Sequence, residues 1–224
     1  MLTRNKTGFM LVVILFIVSK TTAQLEHYNI ENERRDFKIT INKSLPEFTF
    51  SFIFSSGAEG NPIGISRIEI RRGTEKRILQ TIKMENPQGS FDYYSSYSFG
   101  TIDLNFDEYL DILLVEGNGG SGGDFPVVWL YDPQSAKFKI EPQFEGIGNL
   151  STDPETKTII SDSWGGVWSK GQSVYRFEGK KLILIHEENE ECNEIRTYII
   201  RTIKDYEHGK VISVVVDSTK AKEE

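Results

Sequence analysis

The sequence predicts an all-β protein built of antiparallel sheets, arranged as a sandwich or in a propeller-like way. Short runs alternate apolar and polar residues at period two, tight-turn signals separate those runs, and no stretch of about ten residues carries helical periodicity. The clearest run is Glu47 to Phe54, where Phe48, Phe50, Phe52 and Phe54 alternate with Thr49, Ser51 and Ile53. One face of that strand is expected to be buried.

Similar runs follow along the chain: Phe37 to Ile41, Ile65 to Arg71, Arg77 to Met84, Leu110 to Val115, Val127 to Tyr131 and Thr158 to Ser161. Ser173 to Phe177, Lys181 to Ile185, Arg196 to Arg201 and Val211 to Val216 complete the set. Asp132, Pro133, Gln134 and Ser135 suit a type I turn, and Glu178 with Gly179 suits a hairpin turn. Short strands joined this tightly pair antiparallel, because a parallel pair needs a long crossover.

At the N-terminus, Arg4 and Lys6 precede the apolar stretch Phe9 to Val18 and the small residues Ser19, Thr21, Thr22 and Ala23. That order is expected of a secretory signal peptide spanning 1–23, cut after Ala23. The apolar run is too short for the ~20 residues of a membrane span, so a secreted or periplasmic product with no remaining membrane span is expected. Residues 24–84 read as an N-terminal β unit and 85–217 as a second β region, separate from it or continuous with it. Residues 218–224 are polar and read as a disordered tail.

The chain carries 26 basic and 33 acidic residues, net −7, and losing Arg4, Lys6 and Lys20 with the signal peptide takes this to −10. Such a balance disfavours nucleic acid and anionic lipid as partners. With Cys192 alone, no internal disulfide can form, and it reads as a surface thiol. His27, His186 and His208 lack metal-ligand spacing, and no GxSxG elbow or Cys/His pairing stands out. Gly117, Gly119 and Gly122 spell GxGxxG, but Phe125, Pro126 and a strand follow, so no helix N-terminus is there to hold a pyrophosphate. Asn42-Lys43-Ser44 and Asn149-Leu150-Ser151 match glycosylation sequons.

The most specific chemistry lies between Thr101 and Val115, where Asp103, Asn105, Asp107, Tyr109 and Asp111 stand at alternate positions. Three acidic side chains crowded into so short a bend repel each other unless a cation lies between them. A hard ion such as Ca²⁺ takes oxygens at about 2.3–2.6 Å, which requires the chain to curl. The order follows the opening of an EF-hand loop, with Tyr109 placed to offer its backbone carbonyl, but Leu114 stands where the closing Glu belongs. The better match is a DxNxDGxxD loop between strands, with Glu116 or Asp124 available to complete the shell. Glu108 occupies the position where Gly normally takes the left-handed conformation.

The stretches TIDLNFDEYLDILL, WLYDP, DPETKTIIS and VYRFEGKKLILI carry a resemblance. Over roughly Tyr93 to Ile185 the chain resembles an exported β-rich family combining an FG-GAP-like calcium loop with a fold akin to periplasmic lysozyme inhibitors. Some of its members act as immunity proteins against secreted peptidoglycan hydrolases. The resemblance implies Ca²⁺ on Asp103, Asn105, Asp107 and Asp111, and a cell-wall hydrolase as partner. Inhibition requires a protruding loop to enter the hydrolase cleft. The chemistry suited to this is Ser163 to Gly171, with Trp164, Gly165, Gly166, Trp168 and Lys170, because Trp supplies large contact area at small entropic cost. The alternative for both tryptophans is a place in the core beside a turn. A non-enzymatic binding protein is therefore expected, with an envelope polysaccharide hydrolase or an adhesion module as the other classes.

Overall fold

The computed structural model describes residues 21–22, 26–28, 34–56, 62–84, 97–116, 123–166, 169–193 and 197–220. Apart from 3-10 turns at Pro142–Phe144 and at Gly166, all regular structure among them is β-strand, in three antiparallel sheets. Two short edge strands come first, β1 (Thr21–Thr22) and β2 (Glu26–Tyr28). A four-stranded meander follows: β3 (Arg34–Ile39), β4 (Phe48–Ser56), β5 (Pro62–Arg72) and β6 (Gln80–Lys83). The middle of the chain supplies β7 (Tyr97–Ile102), β8 (Asp111–Glu116), β9 (Pro126–Asp132) and β10 (Lys137–Ile140). The last third gives β11 (Leu150–Asp153), β12 (Thr158–Trp164), β13 (Ser169–Glu178), β14 (Lys181–Cys192), β15 (Tyr198–Glu207) and β16 (Lys210–Lys220).

Sheet order is β3-β4-β5-β6 for the first, β10-β9-β8-β7-β2 for the second and β1-β11-β12-β13-β14-β15-β16 for the third. Neighbours in sequence are neighbours in space except for the two short edges. The sheets stack as a sandwich of three layers with the five-stranded sheet in the middle. On one side Phe48, Phe50, Phe52, Ile68 and Ile70 of the first sheet share a core with Phe99, Ile112, Leu114, Trp129 and Phe138 of the middle one. Phe99 lies at the centre, 4.8 Å from the Phe52 ring and 5.4 Å from Phe50. Gln80 ties the same two layers at their margin, donating to the Phe138 carbonyl and accepting from its amide.

On the other side Ile102, Leu104, Leu113 and Val128 pack with Phe144, Leu150 and Ile159. Residues 112 and 114 thus point into one core and 113 into the other. A strand buried on both faces needs apolar residues at both parities, and that is why Leu110 to Val115 reads as a continuous apolar run rather than an alternation.

The first sheet shows the opposite logic. Its outer face is a charged lattice in which Ser51, fully buried, accepts from both Arg34 and Arg71, while Glu69 pairs with Arg67 and Arg71. The phenylalanine alternation of β4 separates that face from the core.

Two hairpin turns, at Asp132 and at Glu178–Gly179, stand where the sequence places them, and two further turns share their chemistry. Asp132 accepts from the Gln134 amide, and Asp153 accepts from Glu155 in the same Asp-Pro context. Each of these two turns ends in a left-handed residue, Ala136 and Lys157. β13 and β14 join through Gly179 and Lys180, with Gly179 at φ +63° as the first residue of a two-residue loop. His208 and Gly209 both have positive φ, the type I′ requirement, between β15 and β16.

Two segments differ from expectation. β16 runs to Lys220 because Ser218, Thr219 and Lys220 pair with Ile200, Ile199 and Tyr198, where a disordered tail is expected from Ser218. Thr21–Thr22, inside the segment read as a signal peptide, pairs with Thr152 and Ser151 at the edge of the third sheet. The rest of that signal segment, and the polar stretch around Asn86 to Gly89, lie outside the described residues.

Candidate functional site

The aspartate loop connects β7 to β8 at the margin of the middle sheet, so its two ends are fixed by Ile102 pairing with Asp111. Within it, side-chain oxygens turn inward onto the loop's own amides. Asp103 accepts from the Asp107 amide through Oδ1 (3.2 Å) and from Glu108 through Oδ2 (2.9 Å). Asn105 Oδ1 meets the same Asp107 amide at 3.2 Å, and its Nδ2 donates to Asp107 Oδ2. Asp107 Oδ1 accepts from Tyr109. Asp103, Asn105 and Asp107 are therefore gathered around one turn.

Asp111 has a different place. It is fully buried beneath the loop, with Oδ2 accepting from the Leu104 amide and Oδ1 from the Tyr131 amide, both at 2.9 Å. Burial pushes its carboxyl up to about 8, the charges of Asp107 and Asp103 push the same way, and the two amides oppose them. Asp103 is also raised, chiefly by burial, with Asp107 adding repulsion against the lowering effect of its amide partners. Among the described residues no three His, Cys, Asp or Glu side chains are grouped as a metal-holding set. The gathered donors are two carboxylates and an amide oxygen, an all-oxygen set of the kind a hard divalent cation takes.

Glu108 adopts φ +72° and Phe106 φ +59°, so the loop takes the left-handed turn without glycine. Such a residue costs about 1 kcal/mol or more. Backbone anchoring offsets the strain: the Glu108 amide donates to Asp103, and its carbonyl accepts from Asn42 Nδ2 at 2.8 Å. Asn42 is itself steadied by Ser44, whose amide and hydroxyl both donate to its Oδ1. The Leu110 amide also donates to the Ile41 carbonyl, so the turn that follows β3 braces the loop directly. Sequence reading registers Asn42 only as a sequon. Its Ser44 hydrogen bonds are the local Asn-x-Ser turn that spacing reveals, whereas the Glu108 contact is long-range and leaves no mark in spacing.

Glu116 and Asp124 stand at the end of β8 away from these residues. β8 starts at Asp111 and ends at Glu116, and five residues of strand span roughly 17 Å. Asp124 precedes Pro126, which pairs with Val115 at that same far end.

A second candidate surface lies on the β12–β13 hairpin. Trp164 ends β12 opposite Lys170 and is 49% exposed, which places it outside the core. Its loop closes through the Gly165 amide onto the Ser169 carbonyl, and Gly166 takes φ +82°. Trp168 lies outside the described residues. Trp164 and Lys170 line a surface depression together with Asp162, Gly171, Gln172, Glu188 and Glu190. Gly171 lets the strands crowd there: an added Cβ would lie 2.4 Å from Asn189 Oδ1 and 2.8 Å from Ser163 Oγ. Lys170 pairs with Glu190 at 2.8 Å, and Arg201 holds Glu188 with two hydrogen bonds.

The chain shares its fold with a solved structure. That structure is described as a Xanthomonas type IV secretion system related protein, and the likeness has a TM-score of 0.58 at 16% identity. It covers 91% of this chain and 100% of the other. No family model and no curated protein matches the sequence. No helix among the described residues is long and apolar enough to cross a membrane.

Proposed function

We propose that this chain is an exported, non-enzymatic binding protein that inhibits a peptidoglycan-cleaving hydrolase, with a calcium ion bracing its Asp103–Asp111 loop. The observation that carries the reading is Trp164, a large aromatic left half in solvent at a glycine hairpin beside a charged depression. Interfaces draw most of their energy from a few such anchors. Export is supported by the order of the N-terminal residues and by the secretion-related description of the fold neighbour.

In this reading Asp103, Asn105 and Asp107 hold the ion with the Tyr109 carbonyl. Asp111 sits below and fixes the loop to β9. Calcium neutralises the crowded carboxylates and rigidifies the junction between the first two layers. Extracellular sites of this kind bind at about 10⁻⁴ to 10⁻³ M, so stabilisation amounts to ~1–3 kcal/mol.

A cell-wall lysis assay tests the inhibitor reading. The protein should protect peptidoglycan from an added lysozyme-like hydrolase, and Trp164→Ala should abolish protection while leaving the melting temperature unchanged. Release of sugar by the protein alone would replace this reading with that of a polysaccharide hydrolase. For the ion, identical melting in calcium and in chelator would make the loop a plain turn satisfied by its own amides.

A further inference from the structure

The third sheet ends in a strand that the fold leaves open. β16 pairs with β15 on one side only, and among the described residues its other edge has no strand against it. It spans eleven residues, and Val211, Ile212, Val214, Val215 and Val216 are all exposed, Val216 to 64%. Register places these side chains on both faces: Val214 and Val216 lie opposite Lys204 and Thr202, on the side of Tyr198 and Ile200, while Val215 lies opposite Ile203 on the reverse. Tyr198 and Ile200 are exposed as well, which extends the apolar strip across two strands.

Edge strands are ordinarily kept from pairing by lysines, prolines or inward charges. Here Lys210 and Lys220 stand at the two ends with Asp217 the single charge between them, and the six residues 211–216 carry no charge in a chain whose net charge is −7.

We propose that β16 is the interface for a second copy of this chain, pairing antiparallel with its own equivalent so that two third sheets become one. The pattern is self-complementary. With Val215 on the two-fold axis, Val215 faces Val215 and each Val214 faces the other copy's Val216, so apolar meets apolar in the central pairs. Asp217 then lies opposite Ser213 and Lys210 opposite Lys220 at the two tips, so an acidic chain meets its copy along this strand without apposed carboxylates and with its only like-charge pairs at the exposed ends. An edge alone buries less than the roughly 800 Å² per partner of a standing interface. The association is therefore a concentration-dependent equilibrium, independent of calcium and of any hydrolase.

Sedimentation of the purified protein from low to high micromolar concentration tests this, alongside hydrogen exchange of the 211–216 amides. The weight-average mass should climb toward twice the monomer mass, and those amides should gain protection in step. Val215→Glu, which sets carboxylate against carboxylate on the axis, and Val214→Lys should both hold the protein monomeric with unchanged melting at low concentration. Ile140→Glu, at the exposed edge strand of the middle sheet, should dimerise like wild type. A wild type that stays monomeric throughout, or a dimer that survives both β16 variants, would overturn the proposal.

Discussion

Asn42 Nδ2 donates to the Glu108 carbonyl at 2.8 Å, joining the turn after β3 to the aspartate loop across 66 residues of sequence. This bond, with the Leu110 amide on Ile41, makes the loop part of the packing between the first two layers. Asn42→Ala should cost about 1–2 kcal/mol in urea unfolding, since it removes one bond to the loop and two from Ser44. Asn42→Asp retains the acceptor for Ser44 and loses the donor to Glu108. It should fall between the two, and calcium titration followed by melting should show a weakened midpoint in both variants.

Glu108 pays a steric penalty that another residue need not. Asn tolerates the left-handed region better and removes a charge near Asp103 and Asp107. Glu108→Asn should raise stability by up to ~1 kcal/mol. Glu108→Val, β-branched at φ +72°, should lower it by a similar amount or more, and thermal melting of the pair reads the difference.

Acid should stabilise the calcium-free protein. Asp111 is raised from 3.8 in its ordinary state to about 8 in the fold, so between these values the folded chain retains a proton that the unfolded chain releases. Its contribution is fully present below pH 4 and is lost as pH rises toward 8, a loss of up to a few kcal/mol. Unfolding in chelator across pH 4–8 should show stability falling. A cation above Asp111 favours the ionised form, so calcium should bind more tightly as pH rises and should release protons on binding at pH 7. A flat profile in chelator would show that the two amides suffice to keep the carboxylate charged.

Phe50 and Trp164 should separate core from surface. Phe50 is fully buried between Phe99 and Phe138, and Phe50→Ala should cost ~3–5 kcal/mol. Trp164→Ala should stay within about 0.5 kcal/mol of wild type.

The sequence discloses strands and turns readily because both are local. The alternation Phe48 to Phe54 and the Asp-Pro turn at 132 carry their own geometry, and each stands where expected. The aspartate loop is legible as a turn of converging oxygens for the same reason. What spacing could not convey is direction across layers. Asp111 shares the motif of Asp103 and Asp107 yet faces the core, because its position in β8 sets its parity with Leu113, whose side chain packs into the core. Val211 to Val216 reads as a strand like the others, yet its valines are exposed on both faces, because periodicity marks a strand and not its place at a sheet edge. For Trp164 the sequence leaves core and surface equally open, because a loop tryptophan suits either.

The middle sheet is also the last of the first two layers to be made. During synthesis or translocation, β3 to β6 emerge with Phe48, Phe50, Phe52 and Phe54 bare on one side until Phe99, Trp129 and Phe138 arrive to cover them. For that interval the nascent chain presents a sticky half-sandwich with no disulfide to restrain it. Its yield in a cell should therefore depend on a holding chaperone that keeps the early strands apart until the rest of the chain arrives.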